Sequence, residues 1–156
     1  MAVALIAWAV PRAFAAPPIT IGFSMSLTGG LAPNGKAALL AMQIWAENTN
    51  AKGGLLGRPV KLIWYDNQSN PALVPGIYTK LLDIDRVDLV IGGYATNTVA
   101  PAMPVIIAHN RTFLGLLALA VNSKFHYKRY FSIAPTGGPQ PEGELLRALL
   151  RGRNRP

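Results

Sequence analysis

Gly93-Tyr94-Ala95-Thr96-Asn97-Thr98 brings hydroxyls, a side-chain amide and an aromatic ring together directly after the apolar run Val87 to Ile91. If a helix starts at Thr96 or Asn97, the unpaired N–H groups of its first turn join them, and the set suits a carboxylate. The same residues also admit a plainer reading, in which Thr96 caps its helix and Tyr94 covers the sheet edge. A second polar loop, 26–36, carries Ser26, Thr28 and Asn34 among glycines. It has neither a Gly-Lys-Ser/Thr ending nor GxGxxG spacing, so it does not read as a nucleotide phosphate cradle.

Other chemistries find less support. The chain has no cysteine, which removes disulfides, thiolate metal sites and thiol nucleophiles. Its histidines are His109 and His126, and neither has a second ligand three or four residues away, so no metal site is expected. Asp66 has no evident acid or base partner and no serine stands in a nucleophile elbow, so an enzyme is not the favoured reading. No cofactor is called for. The sequons Asn67-Gln68-Ser69 and Asn110-Arg111-Thr112 are short enough to arise by chance.

The elements that must position these loops can be read from periodicity and punctuation. Ile19 to Met25 is a β-type run, followed by the Gly/Pro/Asn-rich loop Thr28 to Gly35. From Ala37 the spacing of Ala37, Leu40, Ala41 and Ile44 lines one helical face, with Trp45 beside it, and Gly53-Gly54 ends the helix. Val60 to Tyr65 is a second strand. Asn70-Pro71 then supplies an N-cap and a proline at the first helical position of a helix to about Leu82, weakened by Pro75-Gly76. Val87 to Ile91 is a third strand, a helix runs from Thr96 or Asn97 to about His109, and Thr112 to Leu117 is a fourth strand. The order βαβαβαβ with short connections requires an open, parallel, doubly wound α/β sheet covered on both faces. Ligands of such sheets bind outside the carboxyl ends of the strands, which points to loops 26–36, 66–70, 93–98 and 117–123.

The 156 residues are 51% hydrophobic and 14% charged, which fits one compact lobe with strands buried on both faces. The formal charge is +8, but Arg147, Arg151, Arg153 and Arg155 crowd the end and the remaining cations are scattered. No stripe with interleaved aromatics tracks a phosphate backbone, so no nucleic-acid partner is expected. Ala2 to Val10 is a short apolar run, followed by Pro11 and by Ala13-Phe14-Ala15, so residues 1–15 read as a signal peptide cleaved after Ala15. The departure is that no Lys or Arg precedes the run.

Three stretches together resemble a known family: ITIGFSMSLTGGLAPNGKAALLAMQIWAENTNAKGGLLGRPVKLIWYDNQSNP, DLVIGGYATNTVAPAMPV and FLGLLALAVNSKFHYKRYFSIAPTG. They are similar to the periplasmic substrate-binding proteins of branched-chain and related amino-acid ABC transporters, with the leucine-binding type I fold. The resemblance runs from about Ile19 to Pro139. It implies capture of an amino acid between two lobes, with its charged groups held by the loops after strands three and four. Carried over, Tyr94, Ala95 and Thr96 form the carboxylate loop, with the Thr96 hydroxyl and N–H on the carboxylate. Leu117 offers a carbonyl to the ammonium, Leu119 a backbone N–H, and Asn34 lines the mouth. Many members have a hydroxyl residue where Leu119 stands and an aromatic where Asn34 stands, so one anchor and one lid contact are missing.

The resemblance also implies a periplasmic location, a membrane approached only through a permease, and ABC permease subunits as partners of a complete protein. Tyr130 to Ala134 with Pro135-Thr136-Gly137 resembles the strand that crosses into the second lobe. The chain therefore reads as a signal peptide over 1–15, a first lobe with the start of the hinge over 16–138, and a divergent Arg-rich tail over 139–156. The second lobe is absent and a break is expected near Gly138, since each lobe needs about 100 to 150 residues. A ligand-sensing receptor or regulator domain of the same fold, and a small α/β enzyme acting at the same strand ends, are the alternative readings.

Overall fold

The computed structural model describes residues 16–133. The expected signal peptide, the end of the crossing segment, the break near Gly138 and the tail over 139–156 lie outside the described residues.

Five parallel strands form one sheet: β1 (Ile19–Met25), β2 (Val60–Asp66), β3 (Leu89–Ile91), β4 (Phe113–Gly115) and β5 (Tyr130–Ser132), in the order β2-β1-β3-β4-β5. The first step moves one way along the sheet and every later step moves the other way. Right-handed crossovers then set the first helix on one face and the later helices on the opposite face. The packing agrees. Ala46 of α1 (Ala32–Ala51) clusters with Ile19, Ile21 and Val60, whereas a Cβ at Gly22 would meet Leu81 and Val87 on the other side.

That second face carries the larger core. Val74 and Tyr78 of α2 (Val74–Thr79) pack with Leu81, Val90, Val99, Ala102 and Phe113, and with Met103 and Ile106 of α4 (Met103–Ala108). The Tyr78 ring meets Phe113 edge-on at 5.5 Å, and its hydroxyl donates to the Ile91 carbonyl at 2.6 Å. Burial pushes the Tyr78 hydroxyl well above the usual tyrosine range, so it stays a donor.

The expected elements are present with shifted boundaries: the helix expected from Thr96 or Asn97 to about His109 is α3 (Thr96–Val99), a 3-10 turn over Ala100–Ala102 and α4, and the fourth strand is Phe113–Gly115 rather than Thr112 to Leu117. Helix α1 starts at Ala32, with proline in its first turn, rather than at Ala37. Its stripe of Leu40, Ile44 and Trp45 faces solvent, at 57%, 49% and 45% exposure, while Gly35 and Ala46 are the buried positions. The helix is apolar on two opposite sides, and periodicity alone picked the outer one. Asn70 caps as expected, accepting from the Ala72 N–H at 3.0 Å, and the following stretch runs as a 3-10 turn over Pro71–Leu73, α2 with Pro75-Gly76 in its first turn, and a π turn over Lys80–Ile84. Strand β3 loses Val87 and Asp88, because the Asp88 N–H donates to the Thr20 hydroxyl and its carboxylate accepts from the Thr20 N–H and hydroxyl. A short helix α5 (Asn122–Phe125) stands before β5, which extends the sheet as a fifth strand.

On the α1 face the sheet is covered unevenly. Helix α1 packs on β1 and β2, while Leu89 and Phe131, which the register places on that same face, are 45% and 56% exposed.

The start of α1 lies so close to the sheet that a Cβ on Gly35 would stand 1.9 Å from the Ser26 carbonyl oxygen. Gly35→Ala should therefore lower stability by about 2 kcal/mol or more, through backbone displacement rather than lost contacts. Urea unfolding followed by circular dichroism checks this, with Lys36→Ala as the neutral neighbour.

Candidate functional site

The carboxyl ends of the strands are held by a buried polar cluster. The Asn67 side-chain oxygen accepts from the Ser26 hydroxyl at 2.8 Å and the Ser69 N–H at 3.0 Å, and its amide donates to the Ser24 hydroxyl at 2.8 Å. Ser24, Ser26 and Asn67 are all buried, and these bonds satisfy the groups that burial would otherwise penalise. Beside them the Asp66 carboxylate accepts from the N–H groups of Leu27, Thr28 and Gln68 and from the Thr28 hydroxyl. Burial alone would raise its pKa, but the Thr28 hydroxyl and the three N–H donors outweigh it and hold the carboxyl below 3.8. The Ser69 hydroxyl adds a bond to the Thr28 carbonyl at 2.6 Å and accepts from Leu31 at 3.0 Å. Loop 26–31 is thus stitched to loop 66–69. Asp66 is a structural clamp, and the signal for it in the sequence was the polar run Asp66 to Asn70 at a strand end.

Loop 93–98 is fixed to the same frame. A Cβ on Gly93 would stand 1.9 Å from the Ser24 carbonyl oxygen, so glycine is needed for this approach of β3's end to β1. Tyr94 then bridges to Leu117 as an isolated parallel pair, and Ala95 N–H donates to the Leu117 carbonyl at 3.0 Å. Ala95 has φ +72° and ψ 141°, a region that disfavours side chains. Its carbonyl accepts from the Thr98 and Val99 N–H groups and from the Thr98 hydroxyl, which over-determines the conformation.

Ala95, not Thr96, is the N-cap of α3 (Thr96–Val99). The Thr96 hydroxyl reaches across to β4's loop instead, accepting from the Leu119 N–H at 2.9 Å and lying 3.1 Å from the Leu119 carbonyl, to which it donates. The capping reading of Thr96 therefore does not describe this geometry. The N–H groups of Thr96 and Asn97 open the helix and have no acceptor among the described residues. Asn34, at the start of α1, donates to the Tyr94 hydroxyl at 2.7 Å. Tyr94, Ala95, Thr96, Leu117, Leu119 and Asn34 thus meet at one end of the sheet, with Thr96 and Asn97 exposed and Leu117 and Leu119 44% and 52% exposed. The sequence missed the Thr96–Leu119 and Asn34–Tyr94 pairings, because each joins segments far apart in the chain.

His109 lies at the other end of the lobe. It is paired with Asp83 at 2.9 Å, a neighbour that sequence spacing could not show, beside a shallow pocket of about 210 Å³ lined by Leu82, Arg86, Val87, His109 and Arg111.

Comparison with known proteins places the fold. The structure superposes on a branched-chain amino-acid transporter substrate-binding protein of Streptococcus pneumoniae in complex with isoleucine, with TM-score 0.68 and 24% identity over 74% of this chain and 33% of that one. It superposes as well on an ABC-transporter solute-binding protein of Rhodopseudomonas palustris in complex with 3,4-dihydroxybenzoic acid, with TM-score 0.67 and 18% identity over 76% of this chain and 32% of that one. The fold is that of one lobe of a type I periplasmic-binding protein. In sequence, an "Amino acid binding protein" of Pseudomonas aeruginosa is 29% identical over 87 residues, which is 56% of this chain and 23% of that protein. The periplasmic binding protein family matches residues 18–150, and the chain belongs to that family. Its relatives are solute-binding proteins rather than enzymes, and the chain spans about a quarter to a third of the length of those named here.

The Asp66 clamp gives a pH signature. A carboxyl whose native pKa is depressed contributes stability that is full above its unfolded value, here 3.8, and lost as pH falls through the lowered native value. Asp66→Asn should cost about 1–2 kcal/mol at pH 7, discounted for its partial exposure, and progressively less below pH 3.8. Urea midpoints of both proteins at pH 7 and near pH 3 check the sign.

Proposed function

We propose that this lobe is the capturing half of an extracytoplasmic solute-binding protein that takes an amino acid or a related small carboxylate for an ABC importer. The observation that carries the reading is the meeting of the Thr96 hydroxyl, the Thr96 and Asn97 N–H groups and the Leu117 carbonyl at the carboxyl end of the sheet. Family membership supports it, as do the carboxylates bound by the two superposed proteins.

The chemistry follows from the hydrogen-bond inventory. The Thr96 hydroxyl already accepts from Leu119 N–H, so turning its hydrogen from the Leu119 carbonyl to a ligand carboxylate costs one neutral bond and forms a charge-assisted one. The helix-start N–H groups supply further donors, and the partial positive charge there favours an anion. The Leu117 carbonyl spends one lone pair on Ala95 N–H and keeps the second for an ammonium. Tyr94, held by Asn34, walls the same end. In the intact protein a second lobe closes over the ligand and removes water from these charges, and the closed form docks on the permease. No covalent step is involved.

One lobe provides about half of the contacts, and half of a micromolar binding free energy, about −4 kcal/mol, corresponds to millimolar affinity. Titration of the 15N-labelled chain with isoleucine should therefore give saturable millimolar shifts centred on Tyr94 to Thr98 and 117–119. Thr96→Ala should weaken them about tenfold while Thr96→Ser retains them. A folded chain that shows no saturable shifts, or shifts indifferent to Thr96→Ala, would overturn the assignment.

A further inference from the structure

The outer face of α1 is left unexplained by the capture reading. Ala37, Leu40, Ala41, Ile44 and Trp45 are all exposed on the side opposite the buried Gly35 and Ala46. A helix that is apolar on two opposite sides is the pattern of a helix packed from both sides. Along one rim of this stripe stand Lys36 and Glu47, both exposed and neither in an ion pair among the described residues. They lie about three turns, or about 16 Å, apart on the same side of the helix, so they cannot pair within one chain.

We propose that this face is a self-association surface, on which two copies of the chain pack α1 antiparallel about a two-fold axis between Ala41 and Met42. An antiparallel pair related by such an axis brings residues equidistant from its centre together on the same rim. Lys36 then lies opposite Glu47 of the second copy, and the symmetry repeats the pair. Leu40 comes within a residue of Ile44, Ala41 meets Ala41, and Ala37 faces the large Trp45, small against large. The charge pattern is self-complementary in this one orientation; a parallel two-fold pairing would put Lys36 and Glu47 of the two copies on opposite rims, with no opposite charge across the contact. The contact is independent of ligand capture and uses none of the loop 93–98 groups. A single helix pair is at the small end of interface sizes, so the dimer is weak and concentration-dependent.

Sedimentation velocity on the full chain from about 1 to about 300 µM tests this. A reversible monomer–dimer equilibrium is expected. Lys36→Glu or Glu47→Lys alone should weaken it about tenfold, and the double swap K36E/E47K should restore it to within about twofold. Ala41→Glu should abolish it, with circular dichroism confirming that each variant is folded. A chain monomeric throughout, a dimer indifferent to the single reversals, or a double swap that fails to rescue would each overturn the proposal. So would a dimer lost on Phe131→Asp but kept on Ala41→Glu, which would place the contact on the open sheet face.

Discussion

The buried bonding of Asn67 to Ser24 and Ser26 ties together the loops at the carboxyl ends of β1 and β2. At the ends of β1 and β2 the Asn67 N–H donates to the Met25 carbonyl, and its side-chain amide donates to the Ser24 hydroxyl and accepts from the Ser26 hydroxyl. The cluster is fully buried, so a missing partner would leave a desolvated polar group at a cost of about 1–3 kcal/mol. It also sets how closely backbone can approach. Gly35 and Gly93 bring α1 and the end of β3 against the Ser26 and Ser24 carbonyls, where no side chain fits. The distance between the two polar loops is thereby set by backbone contact rather than by adjustable side chains.

On that frame, loop 93–98 holds a non-glycine residue at φ +72°. Such a conformation costs of order 1–3 kcal/mol and persists where surrounding bonds over-determine it. The bonds from Ala95 to Leu117, Thr98 and Val99 do so. Their effect is to turn α3 so that its first N–H groups lie beside the Thr96–Leu119 pair. The Thr96 hydroxyl is kept in place by the Leu119 N–H from the loop after β4, which leaves it ordered without a ligand.

The two faces of the sheet differ in character. One is closed by a core running from Val74 to Val121, whereas the other is covered by α1 over β1 and β2 and leaves Leu89 and Phe131 in part to solvent. Helix α1 has apolar residues both inward and outward, so its position on the sheet is fixed less by patterning than by the glycine contact at its start.

The sequence by itself determined the fold class. The alternation of strands and helices with short connections permits only a parallel, doubly wound sheet, and such a sheet gathers its functional loops at one end. Strand β1, the Asn70 cap and the polar loop after β3 could be read from local composition because their causes are local. The inward side of α1 could not, since Ala37-Leu40-Ile44 and Gly35-Ala46 are both plausible stripes and only the close approach to Ser26 chooses between them. Nor could the partners of Asp66, Thr96 and His109, which come from segments distant in the chain. Tertiary structure alone made Asp66 a clamp, turned Thr96 from a cap into a bridge, and left one apolar face of α1 outward, because each outcome depends on which backbone groups are within hydrogen-bonding or contact distance once the sheet has closed.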